Sequence, residues 1–186
     1  MIYPIVAYGD PVLRKKAEPV APDYPDLPQL IENMFRTMYS SEGVGLAAPQ
    51  IGKSIRLFVI DGTPFSDEDP SAGGFKKVFI NAEILQEDGD KWKMTEGCLS
   101  IPGIREGVER HRQLVIRYQD ADFVTHTETY AGIRARIIQH EYDHIEGLLF
   151  IDRLPAIKKT LLKSRLNDIS RGKTDASYKM RFYSRR

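Results

Sequence analysis

His140-Glu141-Tyr142-Asp143-His144 is the stretch on which the reading of this chain turns. Residues four apart on a helix lie one turn apart on the same face, so His140 and His144 project together. Two imidazoles so placed can hold one metal ion, and Glu141 between them can reach a water at that ion. The helical context is right: Ile133, Ile137, Ile138 and Ile145 recur at helical spacing. Gly132 precedes them, and Gly147 stands where a C-terminal cap belongs. A bland reading stands beside this one, because the H-E-x-x-H pattern also arises by chance on ordinary helices.

A hydrolytic site of this kind needs a third protein ligand and one open position. Downstream candidates are poor. The run Ile145-Glu146-Gly147-Leu148-Leu149-Phe150 keeps the glycine of a longer peptidase pattern, but Phe150 stands where its third histidine belongs, and no Glu follows Glu146. The soft ligand left over is upstream: Cys98, the only cysteine, within Glu96-Gly97-Cys98-Leu99-Ser100. A lone cysteine is also commonly a small buried hydrophobe. Asp143 reads as a supporting or surface carboxylate, since a third ligand from the same turn would crowd the pair. His111 and His126 lie in strand-like polar stretches and read as surface histidines.

Gly43-Val44-Gly45-Leu46-Ala47-Ala48-Pro49-Gln50 holds two decoys. It fits the dinucleotide pattern G-x-G-x-x-A, and its continuation to Ser54 misses a phosphate loop by one glycine. Both motifs need a strand before and a helix after. Here the order is reversed, and Pro49 would interrupt the required helix.

The 186 residues imply one domain over 1–186, large enough for a real core. One cysteine excludes an intrachain disulfide framework and suits a reducing compartment. Met1-Ile2-Tyr3-Pro4 opens directly into what reads as folded sequence, and no apolar run is long enough to span a bilayer. A cytoplasmic protein without a membrane partner is expected, as a monomer. Leu27, Leu30, Ile31, Met34 and Met38 predict a helix over 26–40, and Ile55–Asp61 a buried strand. Gly62 to Gly74 reads as a surface loop leading to a strand over 77–86. Leu114–Gln119 and Phe123–Tyr130 read as a hairpin, followed by the histidine helix and another helix over 155–170. The fold class is therefore α+β, antiparallel or mixed strands wrapped around a central metal-binding helix, with a C-terminal helix.

A net charge of +1 hides a polarity. From Lys158 onward ten Lys/Arg face only Asp168 and Asp175, a balance of +8, against 17 basic and 24 acidic residues, −7, in the remainder. The basic helix and tail over 155–186 can be a solvated face or an electrostatic handle for RNA.

In order and spacing, the segments Gly43–Gln50, Glu96–Ser100 and His140–His144 resemble the three signature motifs of the peptide deformylases. The likeness continues through Ile101-Pro102-Gly103-Ile104-Arg105 and Gly147-Leu148-Leu149-Phe150-Ile151-Asp152-Arg153-Leu154, and reaches from the first residues to about Leu154. It implies removal of the formyl group from the N-terminal formyl-methionine of nascent polypeptides, with release of formate. It implies one divalent ion on Cys98, His140 and His144, Fe²⁺ in the cell, although a His₂Cys set also accepts Zn²⁺, Ni²⁺ or Co²⁺. Glu141 would be the general acid–base, and the Leu99 N–H with the Gln50 side-chain amide would stabilise the oxyanion. Gly43, Gly45 and Gly97 would let the backbone approach a substrate strand, or equally form tight turns. Val44, Ile133, Ile137 and the aliphatic stem of Arg136 are candidates for the methionine pocket. Arg134 departs from the family pattern and is read as pointing to solvent. Because deformylases meet nascent chains at the ribosome, the basic end gains a possible ribosomal partner. Two other classes stay open: a metallopeptidase with Asp168 as third ligand, and a non-catalytic RNA-binding protein with a structural metal.

Overall fold

The computed structural model describes residues 1–183; Arg185 and Arg186 of the basic tail lie outside them. A five-stranded antiparallel sheet has the order β2 (Gly45–Ala47), β3 (Leu57–Asp61), β4 (Lys76–Cys98), β5 (Ile101–Gln119), β6 (Thr125–Ala131). Alternation along β3 explains how its apolar run is used. Phe58 and Ile60 pack with Ile133, Ile137 and Ile138 of helix α2 (Gly132–Ile145). Leu57 and Val59 face the other side, toward Leu30, Met34 and Met38 of helix α1 (Leu27–Ser40). A strand covered on both faces reads as continuous hydrophobe, as Leu57–Ile60 does.

The expected strand over 77–86 is only the first part of β4. Its partner β5 starts at Ile101, so Leu99 and Ser100 are the turn of one long hairpin. Register breaks at Ile80/Glu83, Ile84/Gln86, Asp88/Lys91 and Gly97/Cys98 mark where β4 departs from regular pairing. Extra residues bend and twist a strand, and the polar stretch they interrupt lacks the strict alternation that would have signalled a strand. The predicted hairpin is the β5–β6 pair, its second strand at Thr125–Ala131.

Loop 62–74 contains two short 3₁₀ turns, Thr63–Phe65 and Pro70–Ala72, and has a structural role. Asp69 Oδ2 accepts the Ile133 N–H at 3.2 Å, capping the first turn of α2 where Gly132 adopts φ +63°. At the other end Gly147 takes φ +75° and the Leu148 N–H donates to Asp143 O at 2.8 Å, as the sequence predicted for a glycine cap. Ten of the fourteen residues of α2 are buried. Its buried polar members therefore need partners inside the protein.

Helix α3 (Ala156–Ser170) buries Leu166 and Ile169 against Ile101, Ile104, Val108, Leu149 and Phe150. Strand β7 (Met180–Arg181) then pairs in parallel with β1 (Ile5–Val6), an element that two-residue strands gave no way to foresee. Arg134 does not point freely to solvent: its guanidinium lies 5.8 Å from the ring centres of Phe75 and Tyr130, because those faces attract a cation. No helix among the described residues is long and apolar enough to cross a membrane.

Candidate metal centre

The end of β4 and one face of α2 bring Cys98, His140 and His144 together, with one donor atom from each within 4.8 Å of the others. Cys98 Sγ lies 3.4 Å from His144 Nε2. Zinc-like bond lengths at a tetrahedral angle place sulfur and nitrogen about 3.5 Å apart, so the spacing suits a shared divalent ion. The donor chemistry fits as well. Burial pushes the Cys98 thiol up, but the charges and hydrogen bonds of His144 and His140 outweigh it and bring the thiol down to about 5. A thiolate beside imidazoles is the form that binds a borderline-soft cation.

Glu96 sets the orientation of His140. His140 Nδ1 is 2.9 Å from Glu96 Oε2, which leaves Nε2 for the ion. The same carboxylate takes a two-pronged bond from Arg110 at 2.7 and 2.9 Å and another from Arg136 at 2.8 Å. Burial pushes Glu96 up; the Arg110 and His140 hydrogen bonds prevail and hold it well below the carboxylate range. Asp143 is buried, not on the surface. It accepts from Arg110 at 2.8 Å and from Arg153 at 2.6 and 2.5 Å, so it supports α2 without approaching the ligand set. The network ties β4, β5 and α2 into one rigid block behind the histidines. Arg136 thus serves as more than an apolar stem: its Nη2 also donates to Trp92 O at 2.7 Å.

Glu141 is buried, and among the described residues its Oε2 has no hydrogen-bond partner. Burial lifts its carboxyl to about 6, against the opposing pull of His140 and His144. It fits because residue 45 is glycine: a Cβ there would lie 2.4 Å from Glu141 Oε1 and 2.7 Å from Cδ. Gly45 therefore makes room for the carboxylate, a role beside the substrate approach or the tight turn expected from sequence. Gln50 is fixed at its other end. Its Oε1 accepts the Ala47 N–H at 2.9 Å, which turns the amide NH₂ toward Cys98 Sγ, 3.4 Å away, and Ser100 Oγ, 3.5 Å away.

A cavity of about 570 Å³ opens beside these groups. Gly43, Val44, Gly45, Gln50, Gly97, Cys98, Leu99, Arg136, Ile137, His140 and Glu141 line it. His144 and Ile133 are not among the residues that line it; Ile133 packs with Phe58 and Ile60 in the sheet core, one helical turn from Ile137, which is in that core and lines the cavity too. Residues 173–178 also line it, and Tyr178 Oη donates to Leu99 O at 2.8 Å. The sequence had marked this segment only as basic. Glu96 was visible in its motif but unassigned, and its burial between two arginines from distant segments left no local signal. Asp168 is elsewhere, paired with Lys173 at 3.6 Å. His126 pairs with Asp120, and His111 Nδ1 meets Gly89 O, so neither joins the site.

A helix-borne histidine pair, a cysteine beside it and a buried glutamate at a cavity are the groups that a metal-dependent hydrolase uses. A family profile described as polypeptide deformylase matches residues 2–160. The chain belongs to that family, whose members remove the N-formyl group from nascent peptides. It is 54% identical to the peptide deformylase of Christiangramia forsetii, over 98% of this chain and 96% of that protein. It is similar to the peptide deformylase of Thermotoga maritima, with a TM-score of 0.75 and 42% identity over 83% of this chain and 99% of that one. The inhibitor-bound Plasmodium falciparum enzyme gives 0.78 and 38%, covering 90% of this chain and 99% of its own.

Proposed function

We propose that Cys98, His140 and His144 hold the metal of this deformylase, Fe²⁺ in the cell, and that Glu141 carries its protons. When bound, such an ion supplies a water acidified from 15.7 toward ~7. Glu141 accepts the proton of the attacking water as oxygen adds to the formyl carbon. It returns that proton to the peptide nitrogen when the carbon–nitrogen bond breaks, so formate and a free amine leave. A carboxyl near 6 is matched to such work close to neutral pH. The Gln50 NH₂ and the Leu99 N–H receive the negative charge that builds on the formyl oxygen; each such donor is worth roughly 10²–10³ in rate. Val44, Ile137 and the stem of Arg136 receive the methionine side chain, and Gly43 and Gly97 leave room for the peptide.

The single observation that carries this reading is the buried Glu141 carboxylate, its Oε2 without a hydrogen-bond partner among the described residues and the group in the electrostatic reach of both histidines. Glu141→Ala is expected to lower formate release from a formyl-Met peptide by roughly 10²–10⁴ with metal content near one per chain. Loss of metal together with activity would make Glu141 structural instead. The ion is tested separately: iron-loaded protein is expected to lose activity in air and nickel-loaded protein to keep it, because Fe²⁺ and its thiolate both oxidise.

The chain is read as a cytoplasmic monomer as well, with α3 as a ribosome contact. Ile157 and Leu161 are 72% and 76% exposed on a helix that also carries Lys159 and Lys163. An apolar pair set among cations suits a nucleoprotein surface.

A further inference from the structure

We infer that Tyr178 is a positioning residue of the active site, acting through its hydroxyl on the Leu99 carbonyl to hold the β4–β5 turn in its working geometry. The inference rests on the reading of the Leu99 N–H as an oxyanion donor.

The turn that must aim this N–H has only two residues, Leu99 and Ser100, between paired Cys98 and Ile101. Its pairing is irregular at Gly97/Cys98, so the ladder alone does not fix it. Two carbonyls of the turn are held from outside. Tyr8 N–H donates to Ser100 O at 2.8 Å, and Tyr178 Oη donates to Leu99 O at 2.8 Å. Both donors come from one small unit. Ile5 N–H bonds Lys179 O and Ala7 N–H bonds Arg181 O, each at 2.9 Å, so β1 and β7 are stitched together just beside Tyr8 and Tyr178.

The chain takes a defined route to reach this place. After α3 the Lys173 N–H returns to Asp168 O at 3.0 Å, and Gly172 turns the backbone at φ +84°. Residues 173–178 then run along the cavity wall before β7. The Tyr178 ring packs with the core formed by α1 and β3, where Leu99 also sits. A ring anchored in this way gives its hydroxyl little freedom. The Leu99 carbonyl lies in the Leu99–Ser100 peptide and the Leu99 N–H in the neighbouring Cys98–Leu99 peptide, so the bond holds the plane next to the donor and leaves only the torsions at the Leu99 Cα between them; a shift of about 1 Å at a catalytic group is costly in rate. The C-terminal segment is thereby part of the catalytic machinery and not solely a basic appendage.

Tyr178→Phe keeps the ring and removes the bond. In the metal-loaded full chain, with a formyl-Met tripeptide, kcat is expected to fall about 3- to 10-fold, the range of one hydrogen bond. KM and metal content are expected to stay as in the wild type. Gln50→Ala is measured alongside as the test of the oxyanion reading itself. If Gln50→Ala lowers kcat and Tyr178→Phe does not, the role of Tyr178 is wrong while the oxyanion site stands. If Gln50→Ala has no effect, the reading beneath it fails. A Tyr178→Phe protein that raises KM alone, or loses its metal, also overturns the inference, because the residue would then be a wall or a support for Cys98.

Discussion

Gly45→Ala is the sharpest probe of how Glu141 is housed. The added Cβ would stand 2.4 Å from Glu141 Oε1, 2.7 Å from Cδ and 2.8 Å from Cγ. Carbon and oxygen approach to about 3.3 Å at closest ease, so the carboxylate must move by about 0.9 Å. Turning its tip is not enough, since Cγ is too close as well. The backbone of β2 cannot retreat either, being paired at Gly45↔Ile60 and buried on the far side by α1. A displacement near 1 Å of a catalytic group costs roughly 10² in rate. Overpacking costs about 1–3 kcal/mol, or roughly 2–12 °C in Tm for a chain of this size. Formate release, metal content and thermal unfolding are measured on the same preparation. Activity should fall about 100-fold with the metal retained. Gly43→Ala is compared for thermal unfolding only, because Gly43 is read as facing the peptide: its Cβ meets the flexible Leu99 Cδ1 at 3.0 Å and should lower Tm less. Wild-type turnover in Gly45→Ala would refute the reasoning.

Glu96→Gln leaves Arg110 and Arg136 buried beside a neutral amide. The expected loss is about 3–5 kcal/mol, a Tm drop of roughly 6–20 °C, with weaker metal retention as His140 loses its anchor; a drop under 2 °C would sink the network's assigned role. For Glu128, burial raises the carboxyl, but bonds from Lys77, Tyr118 and Tyr130 outweigh it and hold it at about 2. A depressed carboxyl adds stability above its unfolded pKa that is lost on acidification, so the stability gap between wild type and Glu128→Gln should close between about pH 4.5 and 2. Denaturant titrations across that window check it, and a constant gap contradicts it. Neutralising Lys159 and Lys163 is expected to weaken ribosome association with a reduced salt slope and leave turnover of a small formyl-peptide unchanged; unaltered binding at low salt would make α3 an ordinary solvated face.

The Cys98, His140 and His144 cluster was readable from sequence because such groups are scarce: one cysteine, and one histidine pair at helical spacing. The helices were readable too, since Leu27, Leu30, Ile31, Met34 and Met38 repeat with the period of a helix that has one wet face. The β4–β5 hairpin was not, because bulges break its alternation and its arms carry charges over 86–93. Gly45 stands out in the sequence as a glycine that allows close approach, but not for its contact with Glu141. What it touches, Glu141, is 96 positions away in sequence, and only the fold brings them together. Glu96 and Tyr178 escaped for the same cause: a carboxylate shared by Arg110, Arg136 and His140, and a phenol bonded to Leu99, are contacts across segments with no local pattern.

The identity of the third ligand is tested most directly by Cys98→Ala, prepared without oxygen and compared with wild type for bound metal and formate release. Wild type is expected to carry about one ion per chain and release formate from a formyl-Met peptide. The variant should bind metal weakly and lose nearly all turnover, since two imidazoles alone make a poor site. A Cys98→Ala protein that keeps a full complement of metal and deformylates at the wild-type rate would contradict the assignment.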